Sequence, residues 1–167
     1  MRVQKILVPV DFSGPSELAL DEAATLAKPF QAQIDLLHVW ELPALVGPQD
    51  VYIGAALPPT VVEAVKSNAE QTIAEFASRA RARGIPIRAA QAMPGKAYEL
   101  IVEEAERGAY DLIIVGTHGR KSWSRLLLGS VAERVVRRAP CPVLVARPQP
   151  GDTAPAEVGA PTSAAAP

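Results

Sequence analysis

Short apolar runs alternate along the chain with longer stretches in which apolar residues recur every three or four positions. The short runs are continuously apolar and rich in β-branched residues, a pattern typical of strands buried on both faces of a parallel sheet. Strands that are buried on both faces are expected in the central sheet of an α/β domain. We predict strands at about 6–10, 34–40, 85–91, 110–115 and 143–146.

The longer stretches predict helices. In the first of them apolar residues fall at i, i+3 and i+4 spacing, from Ala19 to Phe30, with Ser13 as a candidate N-cap and Pro15 in the first turn. Gly84 follows the second helix as a C-terminal glycine. We predict helices at about 15–30, 59–83, 97–107 and 130–138. Alternating strands and helices predict a single-domain α/β fold with a five-stranded parallel sheet and helices on both faces.

Three features interrupt this alternation. Pro86 cannot donate a ladder hydrogen bond, so the third strand should begin there or lie near an edge. Residues 41–57 carry prolines and glycines and predict a long irregular loop. Residues 148–167 are rich in Pro, Ala, Gly, Ser and Thr, with Val158 as their one large apolar residue. We predict a folded domain at 1–147 and a disordered tail at 148–167.

Composition and charge argue against several classes of partner and site. The chain has 17 Lys and Arg against 18 Asp and Glu, a balance that argues against nucleic acid as a partner. One cysteine, Cys141, allows no internal disulfide, and with two distant histidines it makes no zinc cluster. No secretory signal opens the sequence, and no apolar run reaches the ~20 residues that cross a bilayer. We therefore expect a soluble cytoplasmic protein with no membrane partner.

Candidate chemistry is concentrated after the fourth strand. Gly116 and Gly119 follow that strand, and nine residues separate Gly119 from Gly129 and Ser130. Glycines let backbone N–H groups approach a ligand, and a helix that begins at Ser130 directs its free N–H groups to the same space. Nearby positive charge comes from Arg120, Lys121 and Arg125. This layout predicts a phosphate cradle, although it matches neither the Walker A loop nor the G-x-G-x-x-G fingerprint.

Two polar residues allow structural roles as well as binding roles. Ser130 and Glu133 form the pattern of a capping box, and a capped helix end remains an anion site, so the two roles are compatible. Asp11 ends the first strand and could cap a helix or form a turn.

His38 is expected to be a packed histidine, and Cys141 a small structural residue.

The spacing Gly116-x-x-Gly119, nine residues, Gly129-Ser130 resembles the nucleotide-binding signature of the universal stress protein family, in its ATP-binding branch. The segment from Val8 to Ser13 is similar to that family's opening segment, and the resemblance extends over residues 1 to about 147. It implies a Rossmann-like sheet of the adenine nucleotide alpha hydrolase-like type, with strand order 3-2-1-4-5. The ligand crevice then lies at the carboxyl ends of strands 1 and 4.

The resemblance also implies a ligand, ATP, with Mg²⁺ or Mn²⁺ bound through the phosphates, and no metal ligand from the protein. The family serine that matches Ser130 contacts phosphate, as do backbone groups at the positions of Gly119, Gly129 and Val131. The opening segment meets the adenosine end. The family often has Thr where Val10 stands, which leaves a backbone contact there. Val39 would read the adenine edge and Met93 would border the ribose. The implied binding residues are Pro9, Val10, Asp11, Val39, Met93, Gly116, His118, Gly119, Arg120, Gly129, Ser130, Val131 and Ala132.

No catalytic residue is predicted. His118 has no Ser, Cys or Asp partner at a recognisable spacing, and the chain offers no Walker B acid and no clear base for water. A nucleotide-dependent switch or stress-response factor therefore fits better than an efficient enzyme. Two alternatives stay open: a slow ATPase or phosphotransfer protein, and a dimeric stress factor that binds no nucleotide.

The last strand predicts an assembly. In the implied strand order it lies at a sheet edge, where an exposed apolar strand is usually covered or paired. The polar, proline-rich tail is a poor cover. Pairing with the same strand of a second copy would make a two-fold contact, and the resembled family commonly dimerises in this way. We expect a homodimer through residues 142–147.

Overall fold

The computed structural model describes residues 2–41, 45–46, 51–52, 58–117 and 128–147 of the 167-residue chain. Strands and helices alternate along it as the apolar pattern predicts. In chain order they are β1 (Lys5–Pro9), α1 (Gly14–Phe30), β2 (Gln33–Trp40), β3 (Leu45–Val46), β4 (Val51–Tyr52), α2 (Pro59–Ala82), β5 (Ile87–Pro94), α3 (Ala97–Arg107), β6 (Leu112–Gly116), α4 (Ser130–Arg138) and β7 (Val143–Ala146).

Five of the strands form one parallel sheet in the order β5-β2-β1-β6-β7. Numbered by their own succession along the chain, these strands have the order 3-2-1-4-5, which confirms the expected topology. The chain turns from one side of β1 to the other after β5, so the neighbouring strands β1 and β6 are separated by a long connection. The carboxyl ends of β1 and β6 lie side by side at this switch point, where open α/β sheets bind ligands.

The region 41–57 differs from the irregular loop that the sequence predicts. Within it β3 and β4 pair as antiparallel strands, with Leu45 opposite Tyr52 and Val46 opposite Val51. Three of these four residues are β-branched or aromatic and favour strands. The prolines and glycines between and around them concealed that preference in the sequence. Residues 42–44, 47–50 and 53–57 lie outside the described part of the chain.

The sheet is covered on both faces. Alternate residues of β1 point to opposite sides, so Ile6 and Val8 join the core under α1 and α2, whereas Leu7 joins the core under α3 and α4. All three side chains are fully buried. Burial of a side chain of this size contributes about 1.5–3 kcal/mol, which explains why the strand sequence is continuously apolar.

No helix in the described residues is long and apolar enough to cross a membrane.

Helix boundaries follow local signals in α1 and α2. α2 is followed by Gly84 at φ +80°, a left-handed conformation that favours glycine. At the start of α1 the Ser13 carbonyl oxygen accepts from the amides of Ser16 and Glu17, both at 3.0 Å. Ser13 is the N-cap, as predicted, but its hydroxyl donates to Asp11 and accepts from no amide of the first turn. The start of α1 is therefore capped by the backbone carbonyl of Ser13, while its side chain belongs to the turn with Asp11.

A buried polar cluster that the sequence does not reveal lies near the amino ends of the strands. Asp35 of β2, 3% exposed, accepts hydrogen bonds from Arg88 through Nε at 2.9 Å and through a second guanidinium nitrogen, from the Ala89 amide at 3.0 Å and from the Tyr110 hydroxyl at 2.5 Å. Burial raises the pKa of the Asp35 carboxyl, but the hydrogen bonds and the Arg88 charge outweigh it, so the net pKa is lowered. The cluster ties β2 to β5 and to the start of β6, at the end of the sheet opposite the candidate site.

Candidate functional site

The turn after β1 places Pro9, Val10 and Asp11 at the switch point. The amide of Val10 donates to the Leu37 carbonyl at 2.9 Å, and the Val10 carbonyl oxygen lies 2.9 Å from Nδ1 of His38. The Val10 side chain is buried at 4% exposure. The Val10 amide is therefore committed within the protein, and a ligand contact at this residue is limited to the remaining lone pair of its carbonyl oxygen.

Asp11 forms a turn through its side chain. Its Oδ1 atom accepts from the amide of Ser13 at 3.1 Å and from the Ser13 hydroxyl. This is the turn-forming role that the sequence left open beside a binding role. His38 is a packed residue, as expected, because its ring lies 4.5 Å from the ring of Phe12 between centroids.

Val39 and Met93 are cross-strand neighbours at the carboxyl ends of β2 and β5. Both side chains are half-buried and pack against the core under α3 and α4. The next pair, Trp40 and Pro94, ends these strands, and the amide of Gly95 donates to the Trp40 carbonyl at 3.0 Å. The Trp40 indole nitrogen is buried and has no acceptor among the described residues, which no sequence signal indicates.

Gly116 ends β6 and has a steric reason to be glycine. A Cβ atom at this position would lie 2.6 Å from the carbonyl oxygen of Pro15, at the start of α1. Real Cβ atoms do not approach backbone that closely, so the end of β6 can pack on α1 only without a side chain here. This packing role is sufficient to explain Gly116 and is compatible with the binding role that the resemblance implies.

The start of α4 is attached directly to the end of β6. The amide of Gly129 donates to the carbonyl oxygen of Thr117 at 2.7 Å, and Thr117 is itself buried at 6% exposure. Gly129 is the N-cap, with φ −62° and ψ 148°, and its carbonyl oxygen accepts from the amide of Glu133 at 2.9 Å. The bond between Gly129 and Thr117 thus holds the amino end of the helix beside the carboxyl end of the sheet.

The predicted capping box is wrong. The N-cap is Gly129, one residue earlier than the pattern requires, so Ser130 is already the first helical residue and no side chain caps the helix. Glu133 instead accepts from Nε of Arg137, one turn later, at 3.1 Å. Ser130 is exposed, and its hydroxyl makes no hydrogen bond within the described part of the chain.

The first turn of α4 offers backbone donors. The amides of Ser130, Val131 and Ala132 have no acceptor among the described residues, as expected of a helix amino terminus without a side-chain cap. The Ala132 side chain is 4% exposed and the Val131 side chain 40% exposed, so Ala132 could meet a ligand only through its backbone. Three N–H groups and the positive end of the helix dipole suit this position to an anion.

Part of the predicted site lies outside the described residues: His118, Gly119 and Arg120, with Lys121, Trp123 and Arg125. Of the remaining predicted residues, the structure brings Pro9, Val10, Asp11 and Gly116 to adjacent strand ends. Among the residues described, no group of three or more His, Cys, Asp or Glu side chains could hold a metal ion. Burial raises the pKa of the Cys141 thiol, which disfavours a reactive thiolate.

Comparison with known proteins agrees with this architecture. The model of the universal stress protein family matches residues 2–147. A universal stress protein of Methanocaldococcus jannaschii is 34% identical over 149 residues, which cover 86% of this chain and 82% of that protein.

Solved structures share the fold. Universal stress protein UspA from Lactobacillus plantarum superposes with a TM-score of 0.71 at 32% identity, covering 88% of this chain and 99% of that one. A universal stress protein in complex with cAMP has a TM-score of 0.58 at 23% identity, covering 88% and 98% of the two chains. The family match spans nearly all of the described chain, and the strand order is the one that the resemblance implied. The chain belongs to the universal stress protein family.

Proposed function

We propose that this protein binds ATP at the carboxyl ends of β1 and β6 and acts as a nucleotide-dependent switch in a stress response in the cytoplasm. The observation that carries the proposal is the set of three amides at the start of α4 that have no acceptor among the described residues, held beside β6 by the hydrogen bond from Gly129 to Thr117. A site built from backbone donors at a helix amino terminus favours a phosphate group over a neutral ligand.

The two ends of the nucleotide would meet different parts of the chain. Gly119, Gly129, Ser130, Val131 and Ala132 are proposed to hold the phosphates, with His118 and Arg120 beside them and Gly116 at the base of the loop. Pro9, Val10 and Asp11 are proposed to meet the adenosine, with Val39 at the adenine edge and Met93 at the ribose. That a protein of the same fold is in complex with cAMP supports a nucleotide as the ligand class.

A divalent cation, Mg²⁺ or Mn²⁺, is proposed to enter with the phosphates. The described residues hold no cluster of ligands for a metal ion of their own. Mg²⁺ commonly enters such sites through substrate phosphates with few protein ligands, which fits this donor set of amides. The cation would neutralise phosphate charge that three amides and the helix dipole offset only in part.

The alternative of a slow ATPase or phosphotransfer protein uses the same site. The sequence offers no Walker B acid and no clear base for an attacking water, so the switch is favoured. The third possibility, a dimeric factor without a ligand, gives the three amides of α4 no acceptor within the described part of the chain.

One experiment tests these alternatives. Protein purified without added nucleotide is denatured, and the released small molecules are identified by mass spectrometry. Folded protein from the same preparation, freed of any bound nucleotide, is titrated with ATP, ADP and AMP, with and without Mg²⁺, by calorimetry. Phosphate release is followed in the same samples. ATP binding without multiple turnovers supports the switch, sustained phosphate release supports the enzyme, and no binding of any nucleotide refutes the proposal.

A further inference from the structure

The turn between β1 and α1 contains a backbone conformation that phenylalanine rarely adopts. Phe12 has φ +63°, in the left-handed region that favours glycine. A bulky residue remains there only when its surroundings hold it, and such strain is concentrated at functional sites. The neighbours of Phe12 therefore indicate what fixes this turn.

His38 contacts the turn in two ways. Its Nδ1 atom lies 2.9 Å from the carbonyl oxygen of Val10. A carbonyl oxygen can only accept, so Nδ1 must carry the proton and donate. The His38 ring also lies against the ring of Phe12, with centroids 4.5 Å apart and an interplanar angle of 44°. One side chain of β2 thus both hydrogen-bonds the residue two before Phe12 and packs on Phe12 itself.

Further contacts hold Phe12 and its neighbours in place. Phe76 of α2 meets the Phe12 ring edge-on at 5.5 Å between centroids. On the other side of Phe12, the Asp11 carboxylate accepts from the amide and the hydroxyl of Ser13. The strained residue is therefore held before, after and through its side chain, and His38 is a side-chain contact that comes from the neighbouring strand.

We propose that His38 is a positioning residue for adenine nucleotide binding. It precedes Val39 in β2, and through the Val10 carbonyl and the Phe12 ring it fixes where Asp11 lies relative to Val39. Because Asp11 and Val39 are assigned to the adenosine end of the ligand, this inference rests on the proposed function. His38 itself acts through these neighbours and is not assigned a contact with the ligand.

Substitutions can separate the hydrogen bond from the packing. His38→Phe keeps an aromatic ring beside Phe12 but removes the donor. His38→Asn places an amide nitrogen at the same branch position as Nδ1 and removes the ring. His38→Leu removes both. We expect His38→Phe and His38→Leu to bind ATP and AMP at least ten-fold more weakly, whereas His38→Asn stays within about three-fold of the unchanged chain, since the donor to Val10 is restored.

The pattern across ligands is diagnostic. Loss of the turn's position should weaken ATP and AMP by the same factor, because adenosine is common to both. Amide hydrogen exchange of residues 11–13 without nucleotide gives a second readout, since local opening accelerates exchange. We expect faster exchange in His38→Phe than in His38→Asn, with both variants remaining folded. If His38→Phe does not fold, the same comparison is made with His38→Leu.

The possible failures can be told apart. Tight binding by the unchanged chain and equally tight binding by His38→Phe would overturn the positioning role and leave the proposed function intact. A loss in His38→Asn as large as that in His38→Leu would also overturn it, since restoring the donor to Val10 would then recover no binding. No adenine nucleotide binding by the unchanged chain would overturn the proposed function and the positioning role together.

Discussion

The amide of Gly129 donates a 2.7 Å hydrogen bond to the carbonyl oxygen of Thr117. Thr117 directly follows β6 and is buried, and Gly129 is the N-cap of α4. The residues between them therefore leave and return at fixed points, whatever path they take. This bond sets the amino end of α4 beside the end of the sheet.

Gly129→Val should weaken ATP binding without disturbing the fold. Its φ of −62° and ψ of 148° are allowed for valine, so the substitution adds a side chain without backbone strain. If backbone approaches phosphate here, affinity should fall at least ten-fold, about 1.4 kcal/mol, as measured by calorimetry. Val136→Ala is the control, because it trims a side chain that is 46% exposed later in the same helix and outside the proposed site. Unchanged ATP affinity in a folded Gly129→Val protein would refute the phosphate assignment.

Gly116→Ala should act mainly on stability. The new Cβ atom would lie 2.6 Å from the Pro15 carbonyl oxygen, a backbone atom that cannot swing aside. Overpacking of this kind costs about 1–3 kcal/mol, and the melting temperature should fall by about 2–10 °C. Gly84→Ala is the control, since its Cβ meets no atom within 4 Å and only the left-handed backbone is penalised. A Gly116→Ala protein as stable as the unchanged chain would contradict the steric reason given for this glycine.

Much of the fold was predictable because the apolar pattern reflects burial directly. The run through Ile6, Leu7 and Val8 is continuous because the two faces of the sheet bury alternate residues. Pro86 likewise predicted an edge strand. β5 begins one residue later and lies at the edge of the sheet. The strand order came from the family resemblance, because local patterns do not specify which strands become neighbours.

What the sequence concealed depends on tertiary contacts or on a one-residue register. The S-x-x-E pattern at Ser130 does not specify where the helix begins, and the cap is one residue earlier, at Gly129, whose amide donates to Thr117. Asp35 appears as a lone acid in an apolar run because Arg88 and Tyr110, its partners, are 53 and 75 residues away. The candidate site was inferred from the glycine spacing and the family resemblance, whereas the role proposed for His38 required the turn's geometry.

Asp35→Asn should destabilise the protein in a pH-dependent way. The pKa of the Asp35 carboxyl is lowered in the fold, so its contribution is present above the ordinary aspartate pKa of about 3.9 and is lost as the pH falls below it. Hydrogen bonds to a charged group are each worth about 1.5–3 kcal/mol, and Arg88 can turn to solvent, so we expect a loss of about 2–3 kcal/mol at pH 7.

The measurement is urea unfolding between pH 3 and pH 7, a range set by that lowered pKa. The unchanged chain should lose stability toward acid more steeply than Asp35→Asn. The control is Asp21→Asn, which removes an exposed pair with Arg83 and should cost no more than about 1 kcal/mol. Parallel acid profiles for Asp35→Asn and the unchanged chain would show that the buried cluster does not contribute through the charge of Asp35.

Removal of the tail should leave the domain intact. Residues 148–167 carry too few apolar side chains to bury a core of their own. A chain that ends at Arg147 should therefore keep its melting temperature within about 2 °C, and its ATP affinity should match that of the full chain. Calorimetry on both chains, side by side, measures both quantities. A drop of several degrees, or a changed affinity, would show that the tail docks on the domain.

The last prediction concerns the open edge of β7. This strand pairs with β6 on one side and is an edge of the sheet. The carbonyl oxygen of Pro142 accepts from the Ile113 amide at 3.0 Å, so the backbone groups of Pro142 point toward β6. Successive residues of a parallel strand direct their backbone groups to alternate sides. The groups of Val143 and Val145 therefore point away from β6, toward any strand that pairs with this edge.

We propose a homodimer in which residues 142–147 of two copies pair about a two-fold axis. Val145→Pro removes an outward donor and leaves the hydrogen bonds to β6, so it should yield a folded monomer. Val145→Ala keeps the donor and should remain dimeric, whereas Leu144→Pro removes a donor that faces β6 and should destabilise the fold itself. Sedimentation velocity at micromolar concentration measures the outcome. A monomeric unchanged chain would exclude the dimer, and a folded Val145→Pro protein that stays fully dimeric would place the contact elsewhere.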